Sequence, residues 1–144
     1  VPGSRSTTPT PPARAAAGRP SPKPPPLSAP VGPYTPVVRA GDWLIVSGQV
    51  GLDAGALVDG GIQAEVRQAL GNLAALLEGE GASLGDVVKT TVFLRHISDY
   101  AVMNEIYTDA FAGHRPARSA VAVANLPLGA LVEIEAWAWV GDRT

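Results

Sequence analysis

The chain has 144 residues, 11 basic and 13 acidic side chains, 14 prolines and no cysteine. The absence of cysteine excludes disulfides, a thiolate nucleophile and a cysteine-bound zinc, and fits a reducing compartment. No apolar run reaches the length that crosses a bilayer, and no stretch has the hydrophobic character of a signal peptide, so no membrane partner and a cytoplasmic location are expected.

Residues 1–30 contain ten of the prolines, the four cations Arg5, Arg14, Arg19 and Lys23, and no acid. Such a segment buries too little apolar surface to offset chain entropy, which predicts a disordered proline-rich tail. Its Arg, Ser, Thr and Ala content also matches an organelle transit peptide. The rest, 31–144, is predicted to be one domain. It carries seven basic and thirteen acidic side chains, a formal charge of −6. With no run of Lys or Arg in it, nucleic acid is not an expected partner.

The domain opens at Val31-Gly-Pro-Tyr-Thr-Pro36, where two prolines require an extended path suited to a sheet edge. Gly41-Asp42 is a hairpin turn. It leads into Trp43–Val50, a strand apolar on both faces and interrupted at Ser47-Gly48-Gln49 by a glycine that marks either a bulge or a close approach of another group. The glycine-rich stretch from Gly51 to Gly61 lacks a Lys-Ser/Thr ending and is no phosphate loop. Ile62, Val66, Ala69, Leu70, Leu73 and Leu77 recur at three- and four-residue steps, predicting a helix over 62–78 that Gly79 and Gly81 terminate.

Asp86 to His96 alternates as a second long strand. A helix over 99–112 follows, capped by Ser98 or Asp99, with Tyr100, Met103, Asn104, Tyr107 and Phe111 as its inner face. Asn104 is the polar exception there, and a buried amide needs partners. Two strands, 117–124 and 131–140, flank the breaker cluster Asn125-Leu-Pro-Leu-Gly129. On the first, Arg118 shares a face with Ala120, Ala122 and Ala124. On the second, Leu131, Glu133, Glu135, Trp137 and Trp139 share one face, opposite Val132, Ile134, Ala136, Ala138 and Val140. The two carboxylates are spaced about 7 Å apart along the strand.

This order predicts an α+β architecture, a single mixed sheet with two helices packed on one face. The other sheet face is too apolar for water, so closure by further copies of the chain is expected. His96 and His114 have no partners at metal-ligand spacing, so no metal site is expected. Ser47 and Ser119 have no His and Asp arrangement of the serine-hydrolase kind.

Several stretches, in order, resemble the RidA (YjgF-type) reactive-intermediate deaminase family: Gly32-Pro33-Tyr34, Ser47-Gly48-Gln49, Val87-Val88-Lys89-Thr90-Thr91-Val92-Phe93-Leu94, Asn104 with Tyr107, Pro116-Ala117-Arg118-Ser119, and Leu126-Pro127 with Val132-Glu133-Ile134-Glu135-Ala136. The resemblance covers about 31–140. It implies a chorismate-mutase-like subunit in a homotrimer whose sheets line the interior and whose sites lie in clefts between neighbours. It also implies hydrolysis of reactive 2-enamino and 2-imino acids to 2-oxo acids and ammonia, without cofactor or metal.

By that resemblance Arg118 binds the substrate carboxylate and Glu133 assists the attacking water or pairs with the iminium, while Tyr34, Asn104 and Ala120 fall on substrate-contacting positions. A planar guanidinium suits the first role, because it holds a carboxylate through two parallel hydrogen bonds. Ala120 stands where many members have a cysteine. That removes a thiol and leaves water as the attacking group. Two other readings use the same residues: a pathway-specific deaminase, such as one acting on 2-aminomuconate, and a non-catalytic trimer that binds small carboxylates or a protein.

Overall fold

The computed structural model describes residues 32–142. The predicted tail, 1–30, lies outside the described residues. In chain order the elements are β1 (Val37–Ala40), β2 (Trp43–Gln49), a short hairpin of β3 (Leu52–Asp53) and β4 (Ala56–Leu57), α1 (Gly61–Glu78), β5 (Val87–Leu94), α2 (Tyr100–Phe111), β6 (Ala117–Ala122) and β7 (Val132–Trp139). The hairpin is the one departure from the expected order. It folds within the stretch read as a glycine-rich loop.

The main sheet has the order β1-β2-β7-β5-β6. Every neighbouring pair is antiparallel except β5 and β6, which α2 joins as a parallel crossover. The proline-bearing entry does lead into the edge strand β1. The last strand, β7, inserts at the centre, which explains why its inward residues Val132, Ile134, Ala136 and Ala138 are completely buried.

Both helices pack on that inward face. Val66, Ala69, Leu70, Leu73 and Leu77 of α1 and Met103, Ile106, Tyr107 and Phe111 of α2 form one core with Leu44, Val46, Val92 and the inward side of β7. The α1 stripe expected from spacing is the buried one. Past its end, Gly81 adopts φ +79° while the amide of Ala82 returns to the carbonyl of Leu77, closing the helix. On α2 the expected inner face needs one correction. Tyr100 is 40% exposed and Ile106 is buried in its place, because α2 leans on α1 as well as on the sheet.

Among the described residues the opposite sheet face is bare. Trp43, Ile45, Trp137 and Trp139 lie on it, joined by Val38 from β1 and Val121 from β6. Trp43 meets Trp137 and Trp139 edge to face at 5.8 and 5.1 Å between centroids. Such a contiguous apolar surface has no cover among the described residues.

Candidate functional site

The chemistry-bearing side chains gather in two places on opposite faces of the sheet. The first is built on β6. Arg118 pairs in register with Thr90 of β5, so its side chain emerges on the helix side, under α2. Its Nη2 donates to the hydroxyl of Tyr100 at 3.0 Å, and its Nη1 lies 3.9 Å from the Met103 sulfur. The guanidinium carbon sits 4.9 Å from the Tyr107 ring centre and 5.5 Å from that of Tyr100. Two aromatic rings thus hold the cation in place through their π faces. Among the described residues no carboxylate pairs with it, which leaves donors available to an anion.

Tyr107 is itself anchored. Its hydroxyl and that of Thr90 are 2.7 Å apart in the core. Burial raises the Tyr107 pKa, only partly offset by the Thr90 hydrogen bond and the Arg118 charge, so the phenol stays neutral beside the cation. Asn104 shares the α2 face of Tyr100 and Tyr107. Its Oδ1 is buried with no hydrogen-bond partner among the described residues. Ala120, half-buried, follows Arg118 on the same side of β6 and packs against the core. Tyr100, Met103 and Tyr107 therefore wall the guanidinium, whereas the sequence pattern suggested alanines.

The second place surrounds Glu133. The register of β7 puts Glu133 opposite Phe93 and Glu135 opposite Thr91, on the bare face. The Glu133 side chain lies across Gly48, where a Cβ would fall 2.7 Å from its carboxyl carbon. Both readings of the Ser47-Gly48-Gln49 break hold, since the β2–β7 pairing also shifts between Val46 and Gln49. Ser47 fixes the chain entry beside it. Its hydroxyl donates to the Thr35 carbonyl at 2.7 Å and its amide to the Pro36 carbonyl at 2.9 Å. Tyr34, 43% exposed, immediately precedes Thr35 in that entry. Burial first, and then the negative charge of Glu135, push the Glu133 carboxyl above the ordinary carboxylate value.

Two further residues position this corner, and neither was singled out from the sequence. Glu65, 6% exposed, accepts the amide of Leu131 at 2.8 Å, two residues before Glu133. Asn72 donates to the carbonyls of Val50 at 3.2 Å and Leu52 at 2.9 Å, and accepts from Gln68 at 2.9 Å. The spacing Ile62, Glu65, Ala69, Asn72 carries the signal, because these positions run along one edge of the apolar stripe.

Glu133 pairs three residues further along β5 than Arg118 does, about 10 Å in the strand direction, and on the other face. One chain therefore presents two half-sites that cannot touch the same small molecule. Neither histidine joins a metal cluster: no group of three or more potential ligands occurs among the described residues, and His114 spends its Nε2 on the Val87 carbonyl at 2.6 Å. No helix among the described residues is long and apolar enough to cross a membrane.

Comparison with known proteins identifies the family and the fold. The family described as Endoribonuclease L-PSP matches residues 26–140. The sequence is 48% identical over 115 residues to the 2-iminobutanoate/2-iminopropanoate deaminase of Mus musculus, covering 78% of this chain and 85% of that protein. It is 46% identical over 112 residues to a RutC family protein of Pyrococcus horikoshii, covering 76% and 89%. The crystal structure of RidA from an Antarctic Psychrobacter superposes with a TM-score of 0.77 at 40% identity, covering 80% of this chain and 94% of that one. With a family match across nearly every described residue and the same mixed sheet under two helices, this chain belongs to the Endoribonuclease L-PSP (YjgF/RidA) family and shares its chorismate-mutase-like fold.

Proposed function

We propose that this protein hydrolyses small 2-imino and 2-enamino acids to 2-oxo acids and ammonia, in sites completed between copies of the chain in a homotrimer. The observation that carries this reading is the guanidinium of Arg118, clamped between two tyrosine rings and without a carboxylate partner among the described residues, in an otherwise acidic domain. The deaminase name of close relatives supports the choice of reaction. Arg118 holds the substrate carboxylate by parallel N–H donors. Glu133 from a second copy approaches from its own sheet face. Its raised pKa makes it a stronger base than an ordinary carboxylate, suited to take a proton from water as the oxygen attacks C2 of the iminium. The same group returns that proton to the nitrogen of the tetrahedral adduct, then takes the remaining hydroxyl proton as the C–N bond breaks and passes it to the departing ammonia, so iminium and water become 2-oxo acid and ammonium. Tyr34, Asn104 and Ala120 complete the walls. The step calls for no cofactor and no metal.

The separation of Arg118 from Glu133 within one chain also favours a second reading, a carboxylate-binding trimer without turnover, should assembly leave the two half-sites apart. One experiment separates them. Purified protein is added to an amino-acid oxidase that releases 2-imino acids, and 2-oxo acid formation is followed. Acceleration over buffer is expected, with a loss of about 100-fold in kcat/KM for Arg118→Ala, the scale of a charged bidentate contact. No acceleration, or full activity in Arg118→Ala, would sink the deaminase reading. Carboxylate binding without acceleration would establish the second.

A further inference from the structure

The hydroxyl of Tyr100 is not required to hold the Arg118 side chain in place, because the Tyr107 ring already stacks on it and the strand backbone sets its direction. Yet it sits on the guanidinium. It accepts from Nη2 at 3.0 Å, which uses one lone pair and leaves its own O–H without a partner among the described residues. Acceptance from a cation polarises that O–H and makes it a stronger donor. Tyr100 is 40% exposed at the first residue of α2, and its hydrogen bond with the guanidinium is itself solvent-exposed. An anion that takes the free guanidinium donors is within reach of the phenolic O–H as well.

We propose that Tyr100 is a substrate-binding residue whose O–H donates to the substrate carboxylate beside Arg118, so that a guanidinium and a phenol share the anion. This rests on the deaminase reading and deepens it by naming the donor set for the carboxylate. The pair is suited to an anionic end group, which on the deaminase reading is the substrate carboxylate. The other groups facing the guanidinium, the Met103 thioether and the Tyr107 ring, have no proton to offer: the first lacks one and the second shares its own with Thr90.

The test uses the full chain with 2-oxobutanoate, the product expected from a 2-iminobutanoate, titrated by calorimetry into wild type, Tyr100→Phe, Arg118→Lys and the double variant, alongside imine hydrolysis. Tyr100→Phe keeps the ring and its stacking while removing only the hydroxyl. It should weaken 2-oxobutanoate binding about tenfold, with kcat within about twofold of wild type, because the carboxylate does not react. In the Arg118→Lys background the hydroxyl should still be worth at least about threefold. Unchanged affinity in Tyr100→Phe, or a fall in kcat alone, overturns the proposal. So does loss of the Tyr100→Phe effect in Arg118→Lys, which would make Tyr100 only a positioning residue. If wild type neither binds nor hydrolyses, the deaminase reading fails first. If wild type does both and Tyr100→Phe matches it, only the role of Tyr100 fails.

Discussion

Glu133 and Gly48 form a unit whose value lies in an unfavourable local arrangement. A carboxylate laid across a bare glycine, half-desolvated and two residues from Glu135, has its charged form disfavoured. Because the folded pKa is raised, the stability this group contributes is present below the ordinary carboxylate pKa and is lost as pH rises through the raised value. At neutral pH the ionised form therefore opposes folding. Glu133→Gln should raise Tm at pH 7, and scanning calorimetry should show the gain shrinking towards pH 4. The same variant should lose about 100-fold or more in imine hydrolysis, the scale of general-base catalysis. Wild-type kcat/KM should fall on the acid side through a pKa above the usual carboxylate range. A Glu133→Gln variant no more stable at pH 7 than at pH 4, relative to wild type, would show that the carboxylate is not strained by its setting.

At the scale of elements, α1 does more than fill the core. Its polar edge, Glu65 and Asn72, ties down the loop after β2 and the residue before β7, the two segments that flank the strand positions of Gly48 and Glu133. Removing the amide in Asn72→Ala takes a donor from two buried carbonyls, of which that of Val50 keeps the Leu52 amide at 2.8 Å. Urea unfolding should show a loss of about 1–3 kcal/mol with an unchanged m-value. The hydrolysis rate should fall too, since the corner is released. An Asn72→Ala midpoint equal to wild type would mean that the loops are held by the β3–β4 hairpin alone.

At the scale of the whole molecule, the bare sheet face sets the demand for partners. All three tryptophans of the chain lie on it. Trp137, 42% exposed, stands between Glu135 and Trp139 on that face. In the proposed trimer it is buried, so Trp137→Glu would place an unpaired charge in an apolar interface. Sedimentation should report monomer for Trp137→Glu and trimer for wild type, with tryptophan emission moving to the red and hydrolysis lost because each site needs two chains. A Trp137→Glu protein that still sediments as wild type does would remove this face from the assembly.

The sequence by itself determined the layered architecture, because periodicity is a local property: steps of three and four along 62–77 and alternation along 131–140 are each set by the geometry of one element. It also marked Arg118, Glu133 and Gly48, since a lone cation, paired acids and a glycine inside a strand break their local patterns. Only the tertiary structure decided what those residues face. The insertion of β7 at the sheet centre and the parallel crossover to β6 are long-range pairings, invisible to any window of sequence. Those pairings put Arg118 beneath α2 between Tyr100 and Tyr107, bring Glu133 over Gly48 on the other face, and give Glu65 and Asn72 their loops to hold. The physical reason is that burial and charge environment depend on which elements pack together. Tyr100 shows this best: its helical spacing placed it in the core, and packing against Arg118 placed it at the edge of the site.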